Sequence, residues 1–170
     1  MTASSSPSPE PADPTARRAA RLAAVQAVYQ MELTGNPADD TIGEFLDHRF
    51  ATPSEIPAGP PDRDFFADIV RGVTRFQVEI DRALARSLAA NWKLERIDSI
   101  ARAVLRCAGY ELIARADVPG KVVIDEYLYV AHAFLNADET GFVNAVLDRM
   151  ARRKRAREFG EDPPSGELPF

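Results

Sequence analysis

Three arginines near the start of the chain are placed to bind an anion. Arg17, Arg18 and Arg21 are spaced by three and four residues, so on a helix they share one face. Cations in the first turns of a helix oppose its dipole, which indicates that they serve something other than helix stability. The free N–H groups at a helix start also attract anions, and a phosphate backbone would satisfy both. An ordinary solvated basic segment remains the alternative interpretation.

A second basic cluster, residues 149–157 with the sequence RMARRKRAR, closes the last predicted helix. Cations at that end agree with the helix dipole, so the cluster would either steer an RNA or simply solubilise the chain. The segments 17–21 and 149–157 together hold nine positive charges and no acid, although the net charge is −5. The rest of the chain is therefore strongly acidic, and this asymmetry indicates an anionic partner with a defined docking site.

The start of the last predicted helix offers groups that could read bases. Phe142 lies there, with Asp138 before it and Asn144 after it. Sequence-selective recognition of single-stranded RNA usually needs an aromatic ring and hydrogen-bonding side chains for the bases. A helical Phe is also typical of a core, and the two polar residues would equally cap the helix or face solvent. The residues alone leave both interpretations open.

No set of residues in the sequence predicts catalysis or metal binding. The chain lacks glycine-rich phosphate loops, an H-E-x-x-H motif and paired C-x-x-C motifs. Cys107, the only cysteine, lies in an apolar run, which predicts a buried side chain and a cytosolic protein without a disulfide. His48 and His132 are too few for a multi-histidine site. We therefore expect a protein that is not an enzyme and uses no cofactor or metal.

The apolar periodicity is helical throughout the central part of the chain. Apolar residues recur at intervals of three and four over 64–88, which predicts a long helix with Asp62 as its N-cap. Further helices are predicted at 16–33, 39–50, 95–115, 121–135 and 140–156. No segment alternates like a strand, so we predict an all-α protein, a compact bundle of six to seven helices.

Both ends of the chain and one internal segment differ from the helical part in composition. Residues 1–14 contain four serines and four prolines and are expected to be a disordered extension. Residues 158–170 are expected to be a flexible acidic tail, and 51–61, with four prolines, an internal loop. No run approaches the roughly 20 apolar residues of a membrane span, and the N-terminus lacks a secretory signal. The predicted folded domain is 15–157, in a cytoplasmic protein.

Four segments, taken in order and spacing, resemble the NusB family of transcription antitermination factors. They are ARRAARLAAVQAVYQMEL, WKLERIDSIARAVLRCAGYEL, DVPGKVVIDEYLYVAHAF and FVNAVLDRMAR, and they cover nearly all of 15–152. The resemblance implies an all-helical fold of two packed subdomains. It also implies binding to the boxA element of nascent RNA, chiefly in ribosomal RNA operons, together with the ribosomal protein NusE. With other Nus factors, such a complex joins elongating RNA polymerase and suppresses termination.

The resemblance also implies which residues carry these contacts. The RNA-binding positions of the family fall on Arg17, Arg18, Arg21, Asp138, Phe142 and Asn144. The positions that face NusE fall on Ala101, Arg102, Leu105, Glu111, Gly120 and Lys121. Ala19 and Gly141 occupy places where relatives often have a basic residue, so we expect a thinner basic surface here.

Two other functions compete with antitermination. One is an RNA-targeting domain related to those fused to ribosomal RNA methyltransferases, against which the missing glycine loop and the short chain argue. The other is a homodimeric helical interaction protein whose RNA surface is masked. The sequence leaves the choice between monomer and homodimer open.

Overall fold

A single helix, α5 (Ser99–Ala114), forms the centre of the structure and contacts α1, α3, α4, α6 and α7. The structure is a computed structural model that describes residues 12–51 and 59–162. All regular secondary structure in these ranges is helical, which confirms the predicted all-α class. The other α-helices are α1 (Pro14–Thr34), α2 (Ala38–Glu44), α3 (Arg63–Arg75), α4 (Gln77–Ser87), α6 (Gly120–Phe134) and α7 (Ala137–Lys154).

The central position of α5 follows from its composition, because a helix that is apolar on most sides must be buried. One continuous core joins it to the surrounding helices, and Val104, Leu105 and Ala108 in its middle have no exposed surface. The approach of α3 depends on Gly72, where an added Cβ would lie 2.2 Å from the ring of Tyr110 on α5.

Most of the longer helices begin with a side chain that satisfies a free backbone N–H. Asp13, Asp62 and Asp98 accept such bonds at the starts of α1, α3 and α5, which confirms the predicted cap at Asp62. At the start of α7, Asn136 and Glu139 form a reciprocal capping box. These caps fix where each helix begins and hence which face each later side chain occupies.

The prediction of one helix over 64–88 is wrong, because the chain bends at Phe76. This residue leaves the helical conformation (φ −108°, ψ 19°) and separates α3 from α4. Its ring stacks on Tyr110 at 6.2 Å between centroids. The predicted helix 39–50 likewise divides into α2 and a π-helical turn, Phe45–Arg49. In both places the apolar spacing continues across the junction, so periodicity could not reveal it.

The described chain begins just before α1 and ends just after a short turn that follows α7. Helix α1 begins at Pro14, while residues 1–11 of the expected extension, 52–58 of the expected loop and 163–170 of the expected tail lie outside the described residues. After α7, a 3-10 turn, Ala156–Phe159, extends two residues beyond the predicted boundary at 157 and packs Phe159 against the core. Among the described residues, no helix combines the length and hydropathy needed to cross a membrane.

Candidate nucleic-acid interface

The arginines at the start of α1 lie beside acidic residues of the later helices, and Arg21 is fully committed to one of them. Its guanidinium donates two hydrogen bonds of 2.9 Å to Glu111 of α5. Arg21 is 3% exposed and Glu111 is not exposed. Burial lowers the pKa of Arg21, but the bonds and charge of Glu111 outweigh this and leave the pKa above its usual value. Arg21 therefore offers no free cation to an RNA in the described chain, and its contact with RNA stays a prediction.

Arg18 remains on the surface but is also paired. Its Nε and Nη2 donate to the two carboxylate oxygens of Glu126 on α6, at 2.9 and 3.0 Å. The guanidinium carbon lies 4.2 Å from the centroid of the Tyr129 ring, which is itself exposed. The side chain keeps 41% of its surface exposed. An RNA phosphate could reach Arg18, but it would compete with a bidentate carboxylate.

Arg17 lies over an aromatic ring and has no close ion pair. Its guanidinium is 4.5 Å from the centroid of Phe65, and its nearest carboxylate is Asp117, at 3.9 Å. Its Nε is buried without a hydrogen-bond partner in the described chain. Of the three predicted arginines, Arg17 and Arg18 are therefore the two that a ligand can reach.

The start of α7 presents the other predicted RNA contacts to solvent. Asp138 and Asn144 are exposed, and Phe142 is only partly buried. Asp138 and Phe142 are four residues apart and share one side of the helix. Two residues turn a helix by about 200°, so Asn144 points away from the face that carries Phe142. The structure thus brings Asp138 and Phe142 together and separates Asn144 from them.

Trp92, which the sequence reasoning overlooked, lies against Phe142. The two ring centroids are 5.6 Å apart, with the planes tilted by 44°. Trp92 is the only tryptophan in the chain, and half of its surface is exposed. Its position outside every apolar helical stripe was the signal in the sequence, since a core tryptophan would normally fall within such a stripe.

The second basic cluster divides into anchored and surface arginines. Arg149 donates from Nε to the carbonyl of Ser87, and Arg153 donates to that of Arg86, which fixes both at the end of α4. Arg152 pairs with Asp148 and Glu161. Arg155 is held by the end of α5 and is only 10% exposed in its side chain. Residues 149–157 are therefore not one uniform basic surface.

Most of the residues expected to face a protein partner are buried within the chain. Ala101 is 2% exposed, while Leu105 and Glu111 have no exposed surface. Gly120 is covered by Phe159 of the 3-10 turn. These four residues are not open to a partner in the described chain, because α5 is surrounded by other helices and the 3-10 turn covers the start of α6. Their contact with NusE stays a prediction.

The two remaining partner-facing residues differ from each other. Lys121 is exposed at the start of α6. Arg102 is 9% exposed, pairs with Glu32 of α1 and donates to the carbonyl of Ile97. It therefore fastens α5 to α1 rather than presenting a free cation.

An open, mostly apolar groove lies between α1, the π-helical turn, the start of α5 and the end of α6. Its volume is about 390 Å³ and its walls include Tyr29, Leu33, Ile100 and Phe134. Leu33, at one edge, is 64% exposed. The predicted apolar face of α1 contained Tyr29 and Leu33, but the spacing could not show that this face continues past the core.

The described residues contain no group of three or more His, Cys, Asp or Glu side chains suited to hold a metal ion. Cys107 is buried, as the sequence predicted, and burial raises the pKa of its thiol far above the usual value. The thiolate that a nucleophilic cysteine needs is therefore not formed at neutral pH.

The sequence model of the NusB family matches residues 18–152, which include all but the first turn of α1 and nearly all of α7. The chain belongs to the NusB family. The resemblance seen in the sequence is thereby confirmed.

Curated NusB proteins match over nearly the whole chain. One, named transcription antitermination protein NusB, from Maricaulis maris, is 48% identical over 160 residues, covering 94% of this chain and 100% of the relative. Another of the same name, from Rhodopseudomonas palustris (strain BisB5), is 52% identical over 142 residues, covering 83% of this chain and 82% of the relative.

Solved NusB structures share the fold. NusB of T. maritima superposes with a TM-score of 0.71 at 29% identity, covering 87% of this chain and 98% of that one. A crystal structure of the antitermination factors NusB and NusE in complex with dsRNA matches with a TM-score of 0.66 at 20% identity, covering 79% and 95%. The family match runs from Arg18 on α1 to Arg152 near the end of α7.

Proposed function

We propose that this NusB-family protein is a transcription antitermination factor that binds boxA-type single-stranded RNA together with NusE. With other Nus factors it would join elongating RNA polymerase in ribosomal RNA operons. The observation that carries the proposal is the identity of about half to antitermination proteins over most of the chain. The fold shared with NusB in its complex with NusE and dsRNA is compatible with it.

The surface of the protein supports an RNA contact at two places. At the start of α7, Phe142 supplies an aromatic face and Asp138 a hydrogen-bonding group for bases. At the start of α1, Arg17 and Arg18 supply cations for phosphates. Asn144 would bind a different part of the RNA from Phe142, since it points to another side of α7.

The groove between α1, α5 and α6 is the surface best suited to NusE. Its open surface is mostly apolar, and Leu33, which lines it, is 64% exposed. A partner that covers Leu33 and the other apolar walls would gain stability from removing them from water. The proposal therefore moves the NusE site from the buried residues of α5 to this groove, with Lys121 as a separate exposed contact.

The central experiment is fluorescence anisotropy with a short labelled boxA-type RNA, with and without purified NusE. A scrambled RNA of equal length serves as the control. We expect selective binding that tightens when NusE is added. Equal, salt-sensitive binding to both RNAs would reject the proposal, because the protein would then act only as a basic helical scaffold.

The NusE groove has its own test in the same assay. Leu33→Arg places a charge in the groove and should abolish the tightening by NusE while leaving RNA binding without NusE unchanged. Val78→Arg is the matched control, since Val78 is a similarly exposed aliphatic residue on α4, 61% against 64%. Light scattering on the same samples distinguishes NusE from a second copy of the chain, the competing occupant. If Leu33→Arg responds to NusE like the wild type, the groove is not the site.

The proposal includes the absence of catalysis. The role of an antitermination factor is fulfilled by binding alone, so we assign no residue a catalytic part.

A further inference from the structure

Trp92 is exposed in a way that packing alone does not explain. Half of its surface faces solvent, in the segment between α4 and the 3-10 turn Leu94–Arg96. Its backbone N–H bonds to the carbonyl of Ala89, so the backbone of this segment is held in a turn. The side chain is thus displayed from a fixed support, and its indole N–H has no partner in the described chain.

The rings of Trp92 and Phe142 form one continuous aromatic surface. With centroids 5.6 Å apart and planes tilted by 44°, the rings touch and leave no slot between them for a base. Trp92 is half exposed, and Phe142 packs partly against the core but keeps some of its surface open, so both rings retain surface for a base. Aromatic surfaces of this kind bind single-stranded nucleic acid with little regard to base identity.

A cation follows the aromatic surface along α7. Arg149 lies seven residues after Phe142, which is two helical turns and places both on the same side of the helix, about 10 Å apart along its axis. Arg149 is exposed, and its Nε donates to the carbonyl of Ser87, which orients the guanidinium without neutralising its charge. Lys93, also exposed, follows Trp92 directly.

We infer that Trp92 and Phe142 form a stacking platform for two consecutive bases of single-stranded RNA, with Arg149 binding a phosphate further along the same strand. The inference rests on the proposed function and extends it, because it adds a base-binding residue and gives the strand a direction along α7. Phosphate contacts position such a strand, while the rings hold its bases.

The single tryptophan allows a direct test with the full-length protein. A boxA-type single-stranded RNA is titrated into the protein while Trp92 emission and the anisotropy of the labelled RNA are followed together. We expect the emission to be quenched with the same midpoint as the anisotropy change, because a base stacked on the indole lies in contact with it. Binding with unchanged emission would overturn the inference but leave the proposed function standing.

Variants test whether Trp92 contacts a base itself or only holds the ring of Phe142 in place. Trp92→Ala should weaken RNA binding roughly 5- to 100-fold, Trp92→Phe should retain most of the affinity, and neither should lower the melting temperature noticeably. Val78→Ala is the control for loss of an exposed apolar side chain. If Trp92 binds its own base, the losses from Trp92→Ala and Phe142→Ala should multiply in the double variant. If Trp92→Ala has no further effect in the Phe142→Ala background, Trp92 is only a support and the inference is wrong.

The phosphate contact is tested by salt dependence. Arg149→Gln should flatten the slope of log K against log salt by about 0.7, the value for one phosphate on a single strand. Arg157→Gln, from the same basic cluster but outside the proposed path, should leave the slope unchanged. Equal slopes for both variants and the wild type would remove Arg149 from the site. Failure of the wild type to prefer the boxA-type RNA over a scrambled one would instead overturn the proposed function, and the inference with it.

Discussion

The buried ion pair with Glu111 fixes the position and the contacts of Arg21. The same residue type at three nearby positions of α1 has three different environments, because only Arg21 points toward a buried carboxylate of α5. A buried ion pair stabilises little by comparison with apolar packing, yet removal of one partner leaves an unpaired charge in the interior. The spacing of the arginines was visible in the sequence, but the acid 90 residues away was not.

Arg21→Ala should therefore unfold the protein more easily rather than weaken RNA binding directly. We expect the free energy of unfolding to fall by about 3–5 kcal/mol, since Glu111 would remain buried without a partner. Urea denaturation followed by circular dichroism measures this loss. Arg17→Ala is the comparison, because Arg17 has no close ion pair and should change stability far less. A stable Arg21→Ala protein with weakened RNA binding would restore Arg21 to the RNA site.

Asp117 makes the free energy of unfolding depend on pH in the acid range. Hydrogen bonds from Arg115 lower the pKa of Asp117 from 3.8 to about 2. A carboxylate with a lowered pKa in the folded state stabilises the fold above its unfolded pKa, and that contribution is lost as the pH falls through about 2. Because the side chain is largely exposed, the contribution should stay below about 1 kcal/mol.

Unfolding free energies of the wild type and Asp117→Asn, measured from pH 6 to the acid limit of the fold, test this expectation. The difference between the two proteins should be constant above about pH 4 and shrink below it. A difference that stays constant to pH 2 would show that Asp117 titrates normally in the folded chain.

At the scale of elements, the C-terminal turn fastens the connection between α5 and α6. Arg155 donates to the carbonyls of Glu111, Leu112, Arg115 and Val118, and Glu158 accepts from the N–H of Gly120. The last carbonyls of a helix and the first N–H groups of the next have no partners of their own. One turn therefore satisfies both ends of the connection, which explains why the domain continues past 157.

Arg155→Gln should destabilise the protein by about 2–3 kcal/mol, because several buried carbonyls lose a charged donor. Hydrogen exchange should also become faster at the N–H of Gly120, since Glu158 is held in place by Arg155. Urea denaturation and exchange followed by NMR measure the two effects. Arg157→Gln, a neighbouring exposed arginine, should stay within about 0.5 kcal/mol of the wild type. Equal unfolding free energies and equal exchange rates in the two variants would show that Arg155 does not stabilise the connection between α5 and α6.

The presence of each helical segment could be predicted from the sequence. The breaks between helices and the burial of residues on α5 could not. The helical periods located the α-helices to within a few residues, except that α3 and α4 appeared as one and α2 appeared to continue through the π-helical turn. Phe76 breaks the helix without breaking the apolar spacing, so only the packing on Tyr110 shows the bend. Burial on α5 was misjudged for a related reason. Helix α5 is surrounded by α1 and four further helices. The sequence of one helix does not show how many other helices will pack against it.

At the scale of the whole molecule, much of the basic character is neutralised internally. The net charge is −5, and Arg18, Arg21 and Arg152 each pair with a carboxylate of another part of the fold. The segment charges read from the sequence therefore overstated the basic surface. Where such a pair forms, the carboxylate would compete with an RNA phosphate for the same arginine.

Glu126 is the clearest such competitor. Glu126→Gln removes the charge that holds Arg18 in a bidentate pair, so the guanidinium becomes available to a phosphate. We expect tighter binding to boxA-type RNA at low salt and a slope of log K against log salt steeper by about 0.7, which corresponds to one further phosphate. The measurement is RNA anisotropy over a range of salt concentrations. Asp39→Asn is the matched control, because it changes the net charge equally and releases Arg71 from an exposed pair between α2 and α3. Equal slopes in the two variants would mean that overall charge alone acts, and Arg18 would then have no place in the RNA site.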